Sequence, residues 1–79
     1  MFYYTYVLKS RVANKLYIGW AIDLRQRLKQ HNNGLVEATK YRKPLELIYY
    51  EACLSEKKAI KREKSLKTGF GRSYLKRRL

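Results

Sequence analysis

"KLYIGWAIDLRQRLKQHNNG", residues 15–34, changes its periodicity halfway along, and that change decides the fold. The first part, "LYIGW" (16–20), is β-branched and aromatic and predicts a strand. Gly19 reads as the residue at which the chain turns out of that strand. Apolar positions then recur at helical spacing: Leu24, Leu28 and His31 stand at i, i+4 and i+7, with Arg27 about 60° to one side. The pattern predicts a helix from about Ala21 to Asn33. Trp20 and Ala21 offer no capping side chain at its start, although Asp23 suits the first-turn dipole, and Asn33-Gly34 is a good stop. A helix that only packs would carry Arg27 and His31 on its wet face. Here they border the stripe that must be buried.

Upstream, "FYYTYVLKS" (2–10) reads as a partner strand, with Tyr4, Tyr6 and Leu8 on one face and Tyr3, Thr5 and Val7 on the other. The short polar stretch "RVANK" (11–15) makes the pair an antiparallel hairpin, which brings Tyr6 near Tyr17 across the ladder. Downstream, "LVEATKYRK" (35–43) is a loop that ends at Pro44. "LELIYYEAC" (45–53) then gives a third strand, with Leu45, Leu47 and Tyr49 opposed to Ile48, Tyr50 and Ala52. Apolar on both faces, it reads as a central strand covered on two sides. Ser55 caps a second helix that runs to about Lys67 and stops at Thr68-Gly69. A short helix from about Arg72 to Arg78 can dock Tyr74 and Leu75. The order ββαβαα predicts an α+β fold: a small three-stranded antiparallel sheet flanked by helices, one domain over residues 1–79.

Composition narrows the setting. One cysteine, Cys53, excludes a disulfide framework and points to a reduced, cytoplasmic protein in which Cys53 is a small buried hydrophobe. The N-terminus has no signal-peptide pattern, and no apolar run approaches membrane-spanning length. Nineteen Lys and Arg against six Asp and Glu leave a formal charge of +13, which calls for a polyanionic partner, nucleic acid first. The eight tyrosines sit mainly in strand-like runs, so the pattern is not that of a basic helix lying on a membrane.

Within "EKKAIKREKSLK" (56–67), Ala59, Ile60, Glu63 and Leu66 share a stripe about 120° wide. Glu63 is thus a carboxylate among core-facing residues, which costs several kcal/mol unless a cation or a metal meets it. Two readings follow: a salt bridge to Arg62 or a cross-helix arginine, or a metal ligand. The same pair of readings holds for the first helix. Arg27 and His31 could grip a phosphate and move protons. Alternatively, Arg27 snorkels and His31 is a cation favoured by the helix C-terminus.

The ordered set of these residues resembles the GIY-YIG nuclease superfamily, and closely its small single-domain bacterial members. The family's two triplets correspond to a degenerate Tyr4-Thr5-Tyr6 and an intact Tyr17-Ile18-Gly19. "LRQRLKQH" (24–31) resembles the family's arginine- and histidine-bearing helix, "KYRKPLELIYYE" its central strand and "AIKREKSLK" its glutamate signature. The resemblance covers the chain from Tyr3 to about Leu79. It departs where the first triplet lacks Gly-Ile and where no asparagine follows Asn33.

What the resemblance implies is metal-dependent endonuclease chemistry: in-line attack of water on a DNA phosphodiester. Arg27 and His31 would be catalytic, with Tyr6 and Tyr17 as base and positioner in either order. Arg27 and a nearby metal would depress the base's pKa. Glu63 would hold one Mg²⁺ or Mn²⁺. Ten of the basic residues lie from Lys57 onward. Lys57, Lys61, Lys67 and Arg72, with Lys40, Arg42 and Lys43, form the expected backbone-tracking surface. The expected partners are structured or damaged DNA and a targeting protein, with the chain a monomer or weak dimer. RNA stays open as the nucleic acid. The alternative is a non-catalytic nucleic-acid-binding module on the same fold.

Overall fold

A computed structural model describes residues 1–79. Its elements are β1 (Tyr3–Ser10), β2 (Leu16–Ala21), α1 (Leu24–Asn32), β3 (Leu45–Cys53), α2 (Glu56–Leu66) and α3 (Gly69–Lys76). The sheet is antiparallel, in the order β2-β1-β3. The α+β class and the ββαβαα order are as the sequence predicts.

The central strand is β1, however, and β3 is an edge. Two features give β3 its double-sided apolar pattern. Helices cover both faces of the sheet, and a bulge opposite Val7 and Leu8 breaks the alternation. Val7 pairs with Tyr49 and Leu8 with Leu47, so Ile48 is the extra residue. Leu45 and Leu47 therefore pack on the α1 side, while Ile48 and Tyr49 both turn to the α2–α3 side.

Each face has its own core. On one side, Tyr6, Leu8, Ala21 and Leu45 pack with Tyr17 of β2 and with Leu24 and Leu28 of α1. On the other, Val7 packs with Leu66 of α2 and Leu75 of α3. A Thr5 hydroxyl donating to the Ala59 carbonyl (3.0 Å) ties β1 to α2 in the buried layer between them.

Helix boundaries shift for local reasons. Strand pairing carries β2 through Ala21, opposite Tyr4, so α1 begins only at Leu24. Asp23 is its N-cap and accepts from the Gln26 amide at 3.0 Å. At the other end, Asn33 caps the helix and Gly34 follows with φ +73°, as the sequence predicts. Ser55 caps α2 as expected. Thr68 does not merely end α2: it caps α3, which starts at Gly69, three residues earlier than Arg72. Cys53 is half-buried rather than buried, with its thiol toward the Ser55 carbonyl. No helix is long and apolar enough to cross a membrane.

Candidate active site

Tyr6, in the middle of β1, is 1% exposed and pairs with Gly19. A Cβ on residue 19 would lie 2.6 Å from the Tyr6 hydroxyl oxygen and 2.8 Å from its Cζ. Gly19 therefore does not turn the chain, since β2 runs on to Ala21. It leaves the gap through which the Tyr6 phenol crosses the neighbouring strand. Tyr17 sits two residues earlier on the same face. Its ring centroid is 6.4 Å from that of Tyr6 and 4.9 Å from that of His31.

His31 lies in the last turn of α1 with no exposed surface. Its Nε2 is 2.9 Å from the Tyr6 hydroxyl, and its Nδ1 is 2.7 Å from the hydroxyl of Thr39. Burial, assisted by the charge of Arg27, lowers its pKa to about 4. The imidazole is neutral at pH 7, which overturns the reading of His31 as a cation on the helix dipole.

Arg27, one turn earlier and half-buried, donates from Nη1 to Gln30 Oε1 at 3.1 Å. Its Nε is buried and has no partner. An unpaired guanidinium N–H is rare in a folded interior, and oxygen anions are its natural acceptors.

Glu63 projects from α2 into the same neighbourhood, close enough that its charge acts on Tyr6. Its side chain is 17% exposed and its nearest ion pair is with Lys67, at 3.8 Å. That is beyond hydrogen-bond length. The predicted partner, Arg62, is engaged elsewhere: it donates twice to Glu51 of β3, each bond 2.9 Å. The core-facing position of Glu63 is as predicted, while its pairing with Arg62 is corrected.

The Tyr6 phenol is the second correction. Burial pushes its pKa up, and the neighbouring Tyr17 and Glu63 add to that effect. The adjacent Arg27 offsets it only in part, so the net direction is upward. In the free protein Tyr6 is a neutral phenol, not the depressed one expected from the sequence.

No group of three or more His, Cys, Asp or Glu side chains comes together. A fully protein-built metal cage is therefore not what this corner offers. One half-shielded carboxylate with a loose ion pair is a hard oxygen donor. It fits a hard divalent cation that keeps its waters and takes further oxygens from a substrate phosphate.

Around this corner the cations divide. Lys67 and Arg72, with Lys15 and Lys76, rim a groove of about 790 Å³ over Leu16, Ile18 and Leu75, and Tyr17 joins the groove to the site. Lys57 and Lys61 are exposed on α2. Lys40, Arg42 and Lys43 belong to the loop that also supplies Thr39. Lys43 is exposed, but Lys40 is ion-paired to Glu37 at 3.2 Å, and the Arg42 carbonyl accepts from the Ser10 hydroxyl at 2.6 Å. Thr39 and Gln30 were not legible as site residues. Neither carries a periodic signal, and Thr39 lies in a polar loop where one more hydroxyl means nothing by itself.

A three-stranded antiparallel sheet in the order β2-β1-β3 with helices on both faces, in the chain order ββαβαα, is the fold of a GIY-YIG catalytic domain. The model of that family matches residues 2–77, and the chain belongs to it. Its relatives carry the name UPF0213. One from Staphylococcus saprophyticus is 39% identical over 67 residues, covering 84% of this chain and 80% of its own. Another, from Clostridium perfringens, is 38% identical over 65 residues, covering 81% and 69%. The solution structure of a UPF0213 protein from Bacillus halodurans superposes with a TM-score of 0.57 at 27% identity, over 95% of this chain and 82% of that one.

Proposed function

We propose that residues 1–79 act as one metal-dependent endonuclease that hydrolyses phosphodiester bonds in structured or damaged DNA, in the cytoplasm and as a monomer or weak dimer. The observation that carries the reading is the unpartnered, buried Nε of Arg27 beside Tyr6, within range of the Glu63 charge on Tyr6. A buried donor without an acceptor destabilises a fold by about 1–3 kcal/mol, so a protein keeps one where a ligand oxygen will take it. A non-bridging phosphate oxygen is such an acceptor, and it gains charge in the transition state, when the bond matters most.

Each residue then has a task. Arg27 binds the phosphate and neutralises its growing charge. One of Tyr6 and Tyr17 accepts the proton of the attacking water while the other positions that water. His31 holds Tyr6. Glu63 is the side chain that would carry Mg²⁺ or Mn²⁺. When bound there, the ion supplies charge neutralisation at the phosphate and at the leaving 3′-oxygen. The cations of the groove and of the α2 surface would hold the sugar–phosphate backbone with a strong salt dependence and little base readout. With few groups placed to read bases, selection falls to the shape of the DNA or to a targeting protein.

The test is cleavage of labelled duplex, flap, branched and single-stranded DNA, and of RNA, with Mn²⁺ or with EDTA, for wild type beside Glu63→Gln. The expected outcome is metal-dependent cleavage by wild type. The variant should bind DNA equally and cut roughly a thousand-fold more slowly, equivalent to the several kcal/mol that a metal contributes. If both proteins bind alike and neither cuts any substrate, the chain is a binding module on this fold.

A further inference from the structure

The Tyr6–His31–Thr39 chain has two possible proton arrangements, and the surroundings choose between them. Because His31 is neutral, one ring nitrogen donates and the other accepts. In the first arrangement Nδ1–H donates to Thr39 and the Tyr6 hydroxyl donates to Nε2. In the second, the Thr39 hydroxyl donates to Nδ1, and Nε2–H donates to the Tyr6 oxygen. Each leaves one hydroxyl proton without a partner within the chain.

Where that proton is left differs. In the first arrangement it belongs to Thr39, which has no exposed surface. The Thr39 hydroxyl has no contact besides Nδ1, and the residue's amide and carbonyl are already committed to Val36 and Arg42, at 3.1 and 2.8 Å. A buried proton would be stranded there. In the second it belongs to Tyr6, beside the Arg27 guanidinium, whose own Nε also lacks an acceptor. Two unpaired donors then lie together, and Arg27 lines a surface cavity with Gln26 and Gln30, where a water or phosphate oxygen would satisfy both.

We infer that Thr39 is a positioning residue: its hydroxyl fixes His31 in the Nε2–H form, so that His31 donates to Tyr6 and the Tyr6 hydroxyl points at the substrate. His31 in this form cannot take a proton from Tyr6. Hydrogen bonds donated to the phenol oxygen favour its anion, so Tyr6, rather than Tyr17, is the tyrosine that accepts the proton of water, once its own outward-pointing proton has passed to solvent and left the phenolate. This last step rests on the nuclease reading. The tautomer does not.

His31 is the only histidine, so its ring nitrogens give a single set of resonances. Long-range ¹H–¹⁵N correlation at pH 7 on labelled protein should show a proton-bearing Nε2 and a bare Nδ1. In Thr39→Val, which keeps the side-chain volume, the tautomer should shift toward Nδ1–H. Cleavage should fall about ten-fold, as when other groups that orient a histidine are lost, while DNA affinity holds and the melting temperature falls by several degrees, because Nδ1 loses its only partner. Thr39→Ser should restore both tautomer and rate. A proton-bearing Nδ1 in wild type overturns the inference, and so does a Val variant with unchanged tautomer and rate. If wild type cuts no DNA at all, the nuclease reading fails, and the tautomer is still decided by the spectrum.

Discussion

Two polar clusters lie on opposite sides of the sheet, and they differ in whether they are closed. On the α2–α3 side, Arg62 forks onto Glu51, Tyr49 donates to the same carboxylate, and Arg62 and Arg78 stack on the Tyr74 ring at 4.5 and 3.6 Å. Burial alone would raise the Glu51 carboxyl. Arg62 and Tyr49 outweigh it and hold the pKa below the usual carboxylate value. On the other side, Arg27 keeps a buried N–H without a partner and His31 is held neutral between two hydroxyls; Glu63, reaching toward them from α2, has only a loose contact with Lys67. The same residue types, Arg, Glu and Tyr, build both clusters. A network that satisfies itself holds a fold together, whereas one that buries a donor without an acceptor is waiting for an oxygen ligand.

On that contrast, Arg27 should matter to turnover and not to folding. Arg27→Lys keeps a positive charge but loses the forked guanidinium. Cleavage is expected to fall about a hundred-fold, the loss seen when one donor to a developing oxyanion is removed. Stability should stay within about 1 kcal/mol of wild type, because the lost Nε has no internal bond to give up. A urea titration run beside the cleavage assay checks both halves. A large loss of stability with little loss of rate would make Arg27 a structural residue and erase the difference between the clusters.

His31 gives the comparison a pH axis. Its pKa is about 4 when folded, below the ordinary value near 6.5. Between these values the unfolded chain binds the proton and the folded one does not. Stability from this group is thus complete above about pH 6.5 and declines as pH falls toward 4. From pH 6.5 to 5 the decline should be ~1.5–2 kcal/mol, and it should vanish in His31→Gln. Urea midpoints across that range measure it. A wild type as flat as the variant would mean that His31 charges freely in the fold, and the neutral-imidazole geometry would be wrong.

These residues also mark what could be read from the sequence. Period-two alternation put Tyr6 and Tyr17 on one face of a hairpin, and the helical stripe put Glu63 against the core. Both are local patterns, and both hold. The order of strands did not follow, because an apolar pattern reports which faces are covered and not which edges are paired. With helices on both sides, edge strand β3 looks like a centre, and its bulge at Ile48 hid which residues share a face. Gly19 was visible as a special residue but assigned to a turn, since the clash it avoids is with Tyr6, thirteen positions away in sequence. The Arg62–Glu51 pair and the Thr39–His31 contact likewise join separate elements. No spacing rule reaches that far.

The closed cluster supplies the smallest expected effect, and the sharpest control. Arg62→Ala removes the fork and leaves Glu51 with only the Tyr49 hydroxyl. Because both side chains are 30% exposed, water replaces part of what is lost. The cost to stability should therefore be only ~1 kcal/mol, well below that of breaking a fully buried pair. The Glu51 pKa is lowered when folded, so the pair's contribution is present above the ordinary carboxylate pKa and fades as pH drops below it. The deficit of Arg62→Ala should accordingly be full at pH 7 and shrink in acid. Cleavage by the folded fraction should match wild type, since no group of this cluster faces the Tyr6 corner. A variant that lost turnover while keeping its unfolding midpoint would show that the two sides of the sheet are coupled, and that the line between scaffold and site had been drawn in the wrong place.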